Sequence, residues 1–555
     1  MANVIEPAES TGEPSAVVYY NGTILTMAGD TPAYVEAVAV RDGRIAYAGT
    51  RAGAVSAAGH ARQVDLQGRT MLPGFIDTWG HFTLFAQQTL GVNLAYFSEK
   101  PPRNKADIID ALTQAVPFNG WIIGYGYYAA LLADGPLTLA DLDAAFPDTP
   151  VLISTLSTLT GQVNSAGLAT LGLTPETPAG QPGEIVKDPR TGRLTGDLLF
   201  TPFLSARAAA VGSYSQAQAL STFRAAEALL AEQGYTTVQS YQLVPEEIAN
   251  LRAAFDEGVL SVDVMGMPSV SDAASAKIVQ DADWTWDSYS HGDRGLKIPG
   301  FQVATDAAPQ LRLAAFTTPY ADTTGFPDGW KGMLVPQEMV EKWIGYAYAN
   351  DIQLFAYSNG DAGIDLSLAA IEKAIATTGK TGDRRTIIAH SYFVRPDQLT
   401  AYKRFDIGSS MMPPHMMLYG DVQMTLLGPQ RATMESPLAS ALGAGLNATL
   451  HCDCPSASPN VMEAIGTAVT RATVSGAILG PQERVSPYTA LLGFTRNAAY
   501  YYREEGTKGT ITVGKIADLV ILEENPLTVA PEKIKDIKVM ETIKRGEVIH
   551  ARVPR

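Results

Sequence analysis

The chain has 555 residues, of which 46% are hydrophobic, so it can bury a full core in one large domain and a smaller one, which excludes a wholly disordered protein. Its 41 lysines and arginines against 57 aspartates and glutamates give a net charge of -16, which excludes nucleic acid and anionic membrane surfaces as expected partners. With two cysteines, Cys452 and Cys454, and a start that lacks a basic segment and an apolar run, we expect a cytoplasmic protein whose residues 1–16 form a disordered tail.

The two ends of the chain share a β-rich pattern. Short apolar runs over residues 17–70 are separated by turn pairs such as Asn21-Gly22 and Asp42-Gly43, which favour hairpins. The segment 501–555 repeats this pattern of short apolar runs and turns. We therefore predict one small β-sandwich domain built from both chain termini, residues 17–70 and 501–555.

The middle of the chain, residues 71–500, alternates short apolar strands with longer amphipathic segments. TTVQS (236–240) and IQLFAYS (352–358) each precede a stretch with helical periodicity. This alternation predicts an α/β fold, a (β/α)8 TIM-like barrel, whose active site lies at the C-terminal ends of its strands. A turn-rich insertion at about 90–210 is expected to cap that face.

The first motif of the barrel segment is LPGFIDTWGHF, residues 72–82, in which an apolar strand ends in an acid and is followed by Trp79 and His81. Together with the closing KGTITVGKIADLVILEENPL and with WIIGYGYY, NSAGLATLGLT and HSYFVRPDQL, it resembles the amidohydrolase superfamily, in the amidohydrolase-3 branch that includes N-substituted formamide deformylases. The resemblance covers nearly the whole chain and implies the same barrel and terminal domain. A shared fold does not by itself fix the function.

The resemblance implies a metal site, and three of its usual ligands are replaced here. The family places a His-x-His pair after the first barrel strand, a lysine after the fourth, histidines after the fifth and sixth, and an aspartate after the eighth. Trp79 stands at the first histidine of the pair, and Tyr357 stands at the fifth-strand histidine. Gln302 aligns with the lysine, although another register would place Lys297 there. Indole, phenol and amide groups are poor metal ligands.

The other family positions keep their residue types. His81, His390 and Asp453 align with the second histidine of the pair, the sixth-strand histidine and the eighth-strand aspartate. His415 aligns with a further pocket histidine, and Asp306 aligns with an aspartate that follows the lysine. We expect no tightly bound metal, and the alternative is one divalent ion such as zinc on His81, His390 and Asp453.

The polar side chains that remain are typical of general acid–base catalysis. The predicted catalytic residues are Asp453 as the base, with His390, His81 and Tyr357 as its partners. Without a neighbouring cation, the Asp453 carboxylate is expected to be a stronger base.

A second group of residues is predicted to bind the substrate. These residues are Trp79, Gln302, His415 and Asp306. Trp79 is expected to stack on the ring of an aromatic substrate, because an indole in place of a ligand offers a flat apolar face.

Three functions remain open for such a site. The first is hydrolysis of a C–N bond, in an amide or formamide, or of an acyl bond, in a small aromatic molecule. The second is metal-free C–C cleavage of the retro-aldol or decarboxylation kind, in which donors hold the developing negative charge. The third is ligand binding without catalysis. The expected partner is a small-molecule substrate, and a homodimer is the default assembly.

Overall fold

The structure is a computed structural model that describes residues 16–180, 183–270, 273–282 and 295–553. Residues 1–15 of the predicted tail therefore lie outside the described residues. Across these four ranges, no helix combines the length and the apolar content that crossing a bilayer requires.

The N-terminal segment contains the strands that the sequence predicted. β2 and β3 are joined at Asp42 and Gly43, whose φ values of 52° and 71° suit an Asp-Gly hairpin turn. Asn21-Gly22 is not a turn between strands, because it lies inside β1 where the pairing with β2 shifts register. The elements are β1 (Val17–Leu25), β2 (Tyr34–Arg41), β3 (Arg44–Gly49), α1 (Arg51–Ala58), β4 (Arg62–Asp65) and β5 (Thr70–Pro73).

The first central strand is followed by the insertion, which has a sheet of its own. The elements are β6 (Phe75–Ile76), α2 (Phe82–Gln88), β7 (Val92–Asn93), α3 (Lys105–Thr113), β8 (Ile122–Tyr127), α4 (Leu139–Ala145), β9 (Val151–Thr155), β10 (Thr160–Val163), α5 (Ser165–Thr170), β11 (Gly183–Lys187), β12 (Leu194–Phe200) and α6 (Thr201–Val211). The six insertion strands pair in the order β11-β12-β10-β9-β8-β7. The predicted boundaries of the capping insertion, about 90–210, stay a prediction.

The central segment alternates strands and helices as predicted. Its elements are α7 (Gln216–Ala231), β13 (Tyr235–Tyr241), α8 (Pro245–Asp256), β14 (Asp263–Met267), α9 (Ala273–Asp281), β15 (Leu296–Lys297), β16 (Gly300–Ala304), α10 (Gln337–Ala349), β17 (Gln353–Ser358), α11 (Asp361–Thr378), β18 (Ile387–His390), α12 (Pro396–Arg404), β19 (Gly408–Met411), α13 (Pro413–Leu426), α14 (Pro429–Ala432), α15 (Leu438–Gly443) and β20 (Ala448–Leu450).

These central strands form two parallel arcs. One arc has the order β15-β14-β13-β6 and the other has the order β16-β17-β18-β19-β20, with a bridge from Ser269 to Gln302 between them. The predicted fourth strand is divided into β15 and β16 at Pro299, which has no N–H for the ladder. The strands of both arcs are almost wholly buried, as parallel strands covered by helices are, although β13 and β19 also contain threonine, serine and glutamine side chains. Closure into one barrel stays a prediction.

The C-terminal strands complete a sheet that the N-terminal strands begin. The elements are α16 (Val461–Thr470), α17 (Pro487–Gly493), α18 (Arg496–Tyr501), β21 (Leu519–Leu522), β22 (Val539–Lys544) and β23 (Glu547–Ala551). The eight strands pair in the order β23-β22-β21-β5-β1-β2-β3, with β4 beside β1. Both termini thus contribute to one sheet, whereas its two-layered form as a sandwich, and the domain boundaries, stay predictions.

Candidate active site

A cavity of about 250 Å³ lies where the central strands end. It is lined by residues that follow or end these strands, including His81, Tyr241, Tyr357, His390, Met412 and Asp453. The insertion contributes a further wall that includes Thr158 and Arg207. This position, at the carboxyl ends of parallel strands, is where enzymes of this architecture bind substrates.

The structure brings the four predicted catalytic residues to this one cavity. His81 Nε2 lies 3.2 Å from Asp453 Oδ1, and both side chains are 13% exposed. The backbone N–H of His81 donates to the carbonyl oxygen of Cys454 at 2.9 Å, which fixes the loop after β6 against the loop after β20. His81 and Asp453 therefore form a pre-positioned pair on the cavity wall.

His390 and Asp453 both have left-handed backbone conformations, with φ values of 67° and 55°. Such conformations are uncommon for residues with a Cβ, and they persist only where the surroundings fix them. Here they turn the two side chains from the strand ends into the cavity. The strain coincides with the predicted catalytic positions, which is typical of functional sites.

His390 is the first member of a buried chain of hydrogen bonds. Its Nδ1 lies 3.0 Å from Nε2 of His451, and Nδ1 of His451 lies 2.8 Å from the hydroxyl of Ser410. The Ser410 hydroxyl lies 2.9 Å from that of Thr78, which donates to the carbonyl oxygen of Leu450 at 3.2 Å. One direction of donation satisfies every link: His390 to His451, then to Ser410, Thr78 and Leu450. In that arrangement Nε2 of His390 carries a lone pair.

Burial keeps both histidines of this chain neutral. It lowers the pKa of His390 and of His451 well below the usual value of 6.5, and for His390 the carboxylate of Asp453 only partly offsets it. His451 is not evident from the sequence motif, because its role depends on Ser410, 41 residues away. The only sequence signal is its position two residues before Asp453.

Tyr357 presents its phenol to the same cavity. Its ring meets that of His390 edge to face, with centroids 4.6 Å apart. Burial, together with the negative charge of Asp306, raises the pKa of Tyr357 well above its usual value of 10.0. Tyr357 therefore keeps its proton and acts as a hydrogen-bond donor.

Trp79 lies behind the cavity wall instead of on it. Its side chain is fully buried and its ring centroid is 4.9 Å from that of Tyr241, 5.3 Å from His390 and 5.9 Å from Tyr357. This placement differs from the expected stacking on a substrate, because the rings of Tyr241, His390 and Tyr357 lie against the buried indole. Trp79 supports the residues that line the cavity.

Gln302 and Lys297 lie on different strands and have different surroundings. Gln302, on β16, is fully buried and its Oε1 accepts a hydrogen bond from Ser269 at 2.5 Å. Lys297, on β15, donates to the carbonyl oxygen of Tyr502 at 3.2 Å and lies 4.0 Å from Glu504. Neither side chain lines the cavity, so the expected contact of Gln302 with substrate is replaced by packing beneath Tyr241.

The Asp306 carboxylate also forms its hydrogen bonds with groups of the protein. Its carboxylate accepts from the backbone N–H groups of Ala315, Asn359 and Gly360, at 3.0, 2.9 and 2.8 Å, and from Nδ2 of Asn359 at 3.0 Å. Burial raises its pKa to about 7 despite these donors. Asp306 therefore holds the loop that carries Asn359, which does line the cavity, and does not itself reach a substrate there.

His415 lines the cavity and belongs to a second polar cluster. Its Nδ1 lies 2.5 Å from Oε1 of the fully buried Glu435, and its Nε2 lies 2.9 Å from Oε1 of Gln310. Tyr392 stacks on the His415 ring with centroids 4.2 Å apart. The sequence around His415 does not predict its contacts with Glu435, Gln310 and Tyr392. These three residues are at least 20 positions away from His415 in the chain.

The described side chains do not fit the divalent metal that the resemblance implies. Trp79, Gln302 and Tyr357 offer an indole, an amide and a phenol at three of the implied ligand positions, and these groups are poor metal ligands. Nowhere in the described ranges do three histidine, cysteine, aspartate or glutamate side chains converge as a metal-binding cluster. Cys452 and Cys454 are unpaired thiols buried in the main core. We therefore derive no chemical step through a metal.

Comparisons with known proteins agree with the motifs. The chain is 25% identical over 537 residues to N-substituted formamide deformylase of Arthrobacter pascens, with 93% of this chain and 95% of that protein covered. It is 26% identical over 518 residues to protein LONG AFTER FAR-RED 3 of Arabidopsis thaliana, with 91% and 86% covered.

Solved structures show the same fold. An uncharacterized metal-dependent hydrolase from Pyrococcus horikoshii OT3 superposes with a TM-score of 0.73 at 22% identity, over 97% of this chain and 100% of that one. One from Pyrococcus furiosus gives a TM-score of 0.71 at 22% identity, over 92% and 100%. This likeness supports a TIM-barrel-like α/β fold. A model of the amidohydrolase family matches residues 62–550, and the chain therefore belongs to the amidohydrolase family, as its motifs predicted.

Proposed function

We propose that this protein hydrolyses a C–N bond, in an amide or formamide, of a small aromatic substrate by acid–base chemistry of its own side chains, without a resident metal. Membership of the amidohydrolase family and the similarity to a formamide deformylase support a hydrolase that acts on C–N bonds. One observation carries the metal-free part: Asp453, His81, His390 and Tyr357 line one cavity, and Tyr357 together with the buried Trp79 and Gln302 stands where the family places metal ligands.

The size and walls of the cavity support a small aromatic substrate. An apolar cavity of about 150 Å³ holds benzene. The cavity here, at about 250 Å³, has room for a ring with a short amide substituent. Tyr241, Tyr357, Tyr392 and Tyr419 surround it and offer faces and edges for an aromatic ring.

Asp453 is the base in this proposal. Its Oδ1 lies 3.2 Å from Nε2 of His81, and no hydrogen bond within the described residues occupies this oxygen. Oδ1 can therefore take a proton from a water molecule, while the His81 ring beside it holds the carboxylate in place. His81 therefore acts on the base and not on the substrate carbonyl, which modifies the role expected from the sequence.

His390 accepts a hydrogen bond from the other O–H group of that water molecule. Its Nδ1 is used by His451, and the neutral Nε2 has a lone pair that can accept a hydrogen bond in the cavity. A water held between Asp453 and His390 has its oxygen lone pair free for attack. The buried chain from His451 to Leu450 keeps the tautomer of His390 fixed.

Tyr357 completes the reaction by donating to the carbonyl oxygen of the substrate. The water oxygen forms a bond to the carbonyl carbon while Asp453 takes the proton, and the phenol stabilises the negative charge on the oxygen. The proton then passes from Asp453 to the leaving nitrogen as the C–N bond breaks. The products are an acid and an amine, and Asp453 returns to its ionised form.

Oxygen-18 water tests this proposal directly. Incubation of the enzyme with an aromatic formamide such as N-benzylformamide in oxygen-18 water is expected to give benzylamine and formate with one labelled oxygen. The label and the amine are measured by mass spectrometry. The Asp453→Asn variant is the matched control and should form both products at least about 100-fold more slowly.

Two results with other aromatic compounds would contradict hydrolysis. Release of carbon dioxide or an aldehyde from hydroxy-ketones or aromatic acids, with no label transfer, would identify a C–C lyase. Binding of aromatic amides by calorimetry without turnover of any of them would identify a ligand-binding protein.

A further inference from the structure

We infer that the substrate carries a carboxylate that binds the guanidinium of Arg207, where the insertion forms one wall of the cavity. This inference rests on the proposed function, because it concerns the substrate of the same cavity. It adds a chemical class to that substrate, namely a small aromatic amide with an anionic group.

The position of Arg207 is the first support. Arg207 lies on α6 and lines the same cavity as His81, His390 and Asp453. Among the described residues that line this cavity, it is the one lysine or arginine. The chain as a whole has a net charge of -16, whereas this cavity contains a positively charged side chain. A local positive charge of this kind can favour the binding of an anion.

The second support is that the described residues give the Arg207 guanidinium few hydrogen-bond partners. A guanidinium has five N–H donors in a planar fork that matches a carboxylate. Nη1 of Arg207 donates to the carbonyl oxygen of Thr158 at 3.1 Å, and the guanidinium lies 5.8 Å from the centre of the Phe203 ring. No carboxylate in the described part of the chain forms an ion pair with Arg207 in the structure. Glu247 attracts it only from farther away.

Arg395 shows, for comparison with Arg207, how ion pairs affect an arginine of the same protein. Arg395 forms ion pairs with Asp361, Asp365 and Asp397 at 2.9 to 3.0 Å, and the bonds to Asp397 and Asp365 raise its pKa. Burial instead lowers the pKa of Arg207 to about 10, and the attraction of Glu247 does not restore it. A buried cation without a close counterion is stabilised when a carboxylate enters beside it.

Binding of a matched pair of probes tests this inference. Hippurate and hippuramide are aromatic amides that differ in one group, a carboxylate against a neutral amide. We expect hippurate to bind about tenfold or more tightly than hippuramide by calorimetry, since a charge-assisted hydrogen bond contributes at least this factor. The preference should disappear in Arg207→Gln and persist in part in Arg207→Lys, which keeps the charge.

The control variant is Arg193→Gln, which removes an exposed arginine of the same insertion outside the cavity and should leave the preference intact. The inference is overturned if Arg207→Gln keeps the preference, if the native protein binds both probes equally, or if it binds neither. Thermal melting of both Arg207 variants checks that they fold. A failure of this inference is distinguishable from a failure of the proposed function, because binding is measured without turnover and formate labelling uses a neutral formamide.

Discussion

Replacing Asp453 by asparagine is expected to lower kcat for an aromatic formamide by about 100-fold to 10,000-fold, the range that a positioned general base contributes. Asparagine has nearly the same shape and keeps an oxygen for the 3.2 Å contact with His81 Nε2. It cannot accept a proton from water at neutral pH. The loss should therefore appear in kcat, measured by release of the amine, and the Tm should stay near that of the native protein.

A second variant separates a general loss of charge from the loss of the base. Asp65→Asn removes an exposed carboxylate whose Oδ1 accepts hydrogen bonds from Asn21 and Gln67, and it should leave kcat unchanged. Because His81 acts through Asp453, the double variant with His81→Gln should lose little more than Asp453→Asn alone. Near-native turnover by Asp453→Asn would show that another residue is the base.

Replacing Asp263 by asparagine is expected to lower the free energy of unfolding by about 3 to 5 kcal/mol, the range for removing one partner of a buried ion pair. Asp263, at the start of β14, is buried and contacts Lys508 Nζ, while Lys544 Nζ lies 2.7 Å away. Lys544, on β22, also lies 2.7 Å from Asp518. This cluster links the terminal sheet to the strands that carry the cavity, so its loss should affect the whole chain.

The pKa of Asp263 gives the sign of the corresponding pH effect. Burial alone would raise this pKa, but Lys508 and Lys544 outweigh it and hold the pKa well below 3.8. The folded state therefore binds fewer protons than the unfolded state, and the contribution of Asp263 is present above about pH 4 and is lost as the pH falls further.

Urea denaturation measures this effect. The matched control is Asp281→Asn, which removes an exposed pair with Lys277 and should cost about 1 kcal/mol or less. Adding Lys508→Met to Asp263→Asn should recover part of the stability, because two buried cations, Lys508 and Lys544, would otherwise share only Glu504 and Asp518. A loss no larger than that of Asp281→Asn would contradict the structural role assigned to Asp263.

Local sequence patterns predicted the parts of this protein that depend on near neighbours. Alternating apolar runs and amphipathic segments indicated the strand and helix order. The family resemblance placed Tyr357 near the end of β17, His390 at the end of β18 and Asp453 directly after β20. These positions agree with the rule that active-site residues lie at the carboxyl ends of parallel strands.

The contacts behind these residues were not predictable in the same way. The hydrogen bond between Ser410 and Thr78 spans 332 residues, and the one between His415 and Glu435 joins two elements whose packing the sequence does not encode locally. Trp79, Gln302 and Asp306 occupy predicted motif positions, yet their side chains are buried. Their partners come from other elements: aromatic rings lie against Trp79, Ser269 donates to Gln302, and the Asn359 loop donates to Asp306.

The metal content of active enzyme tests the central claim most directly. Elemental analysis of purified protein, before and after dialysis against a chelator, is measured together with turnover of the aromatic formamide. The account predicts far less than one zinc, iron or manganese per chain and unchanged turnover after chelation. A stoichiometric ion whose removal abolishes turnover, and whose return restores it, would contradict the account.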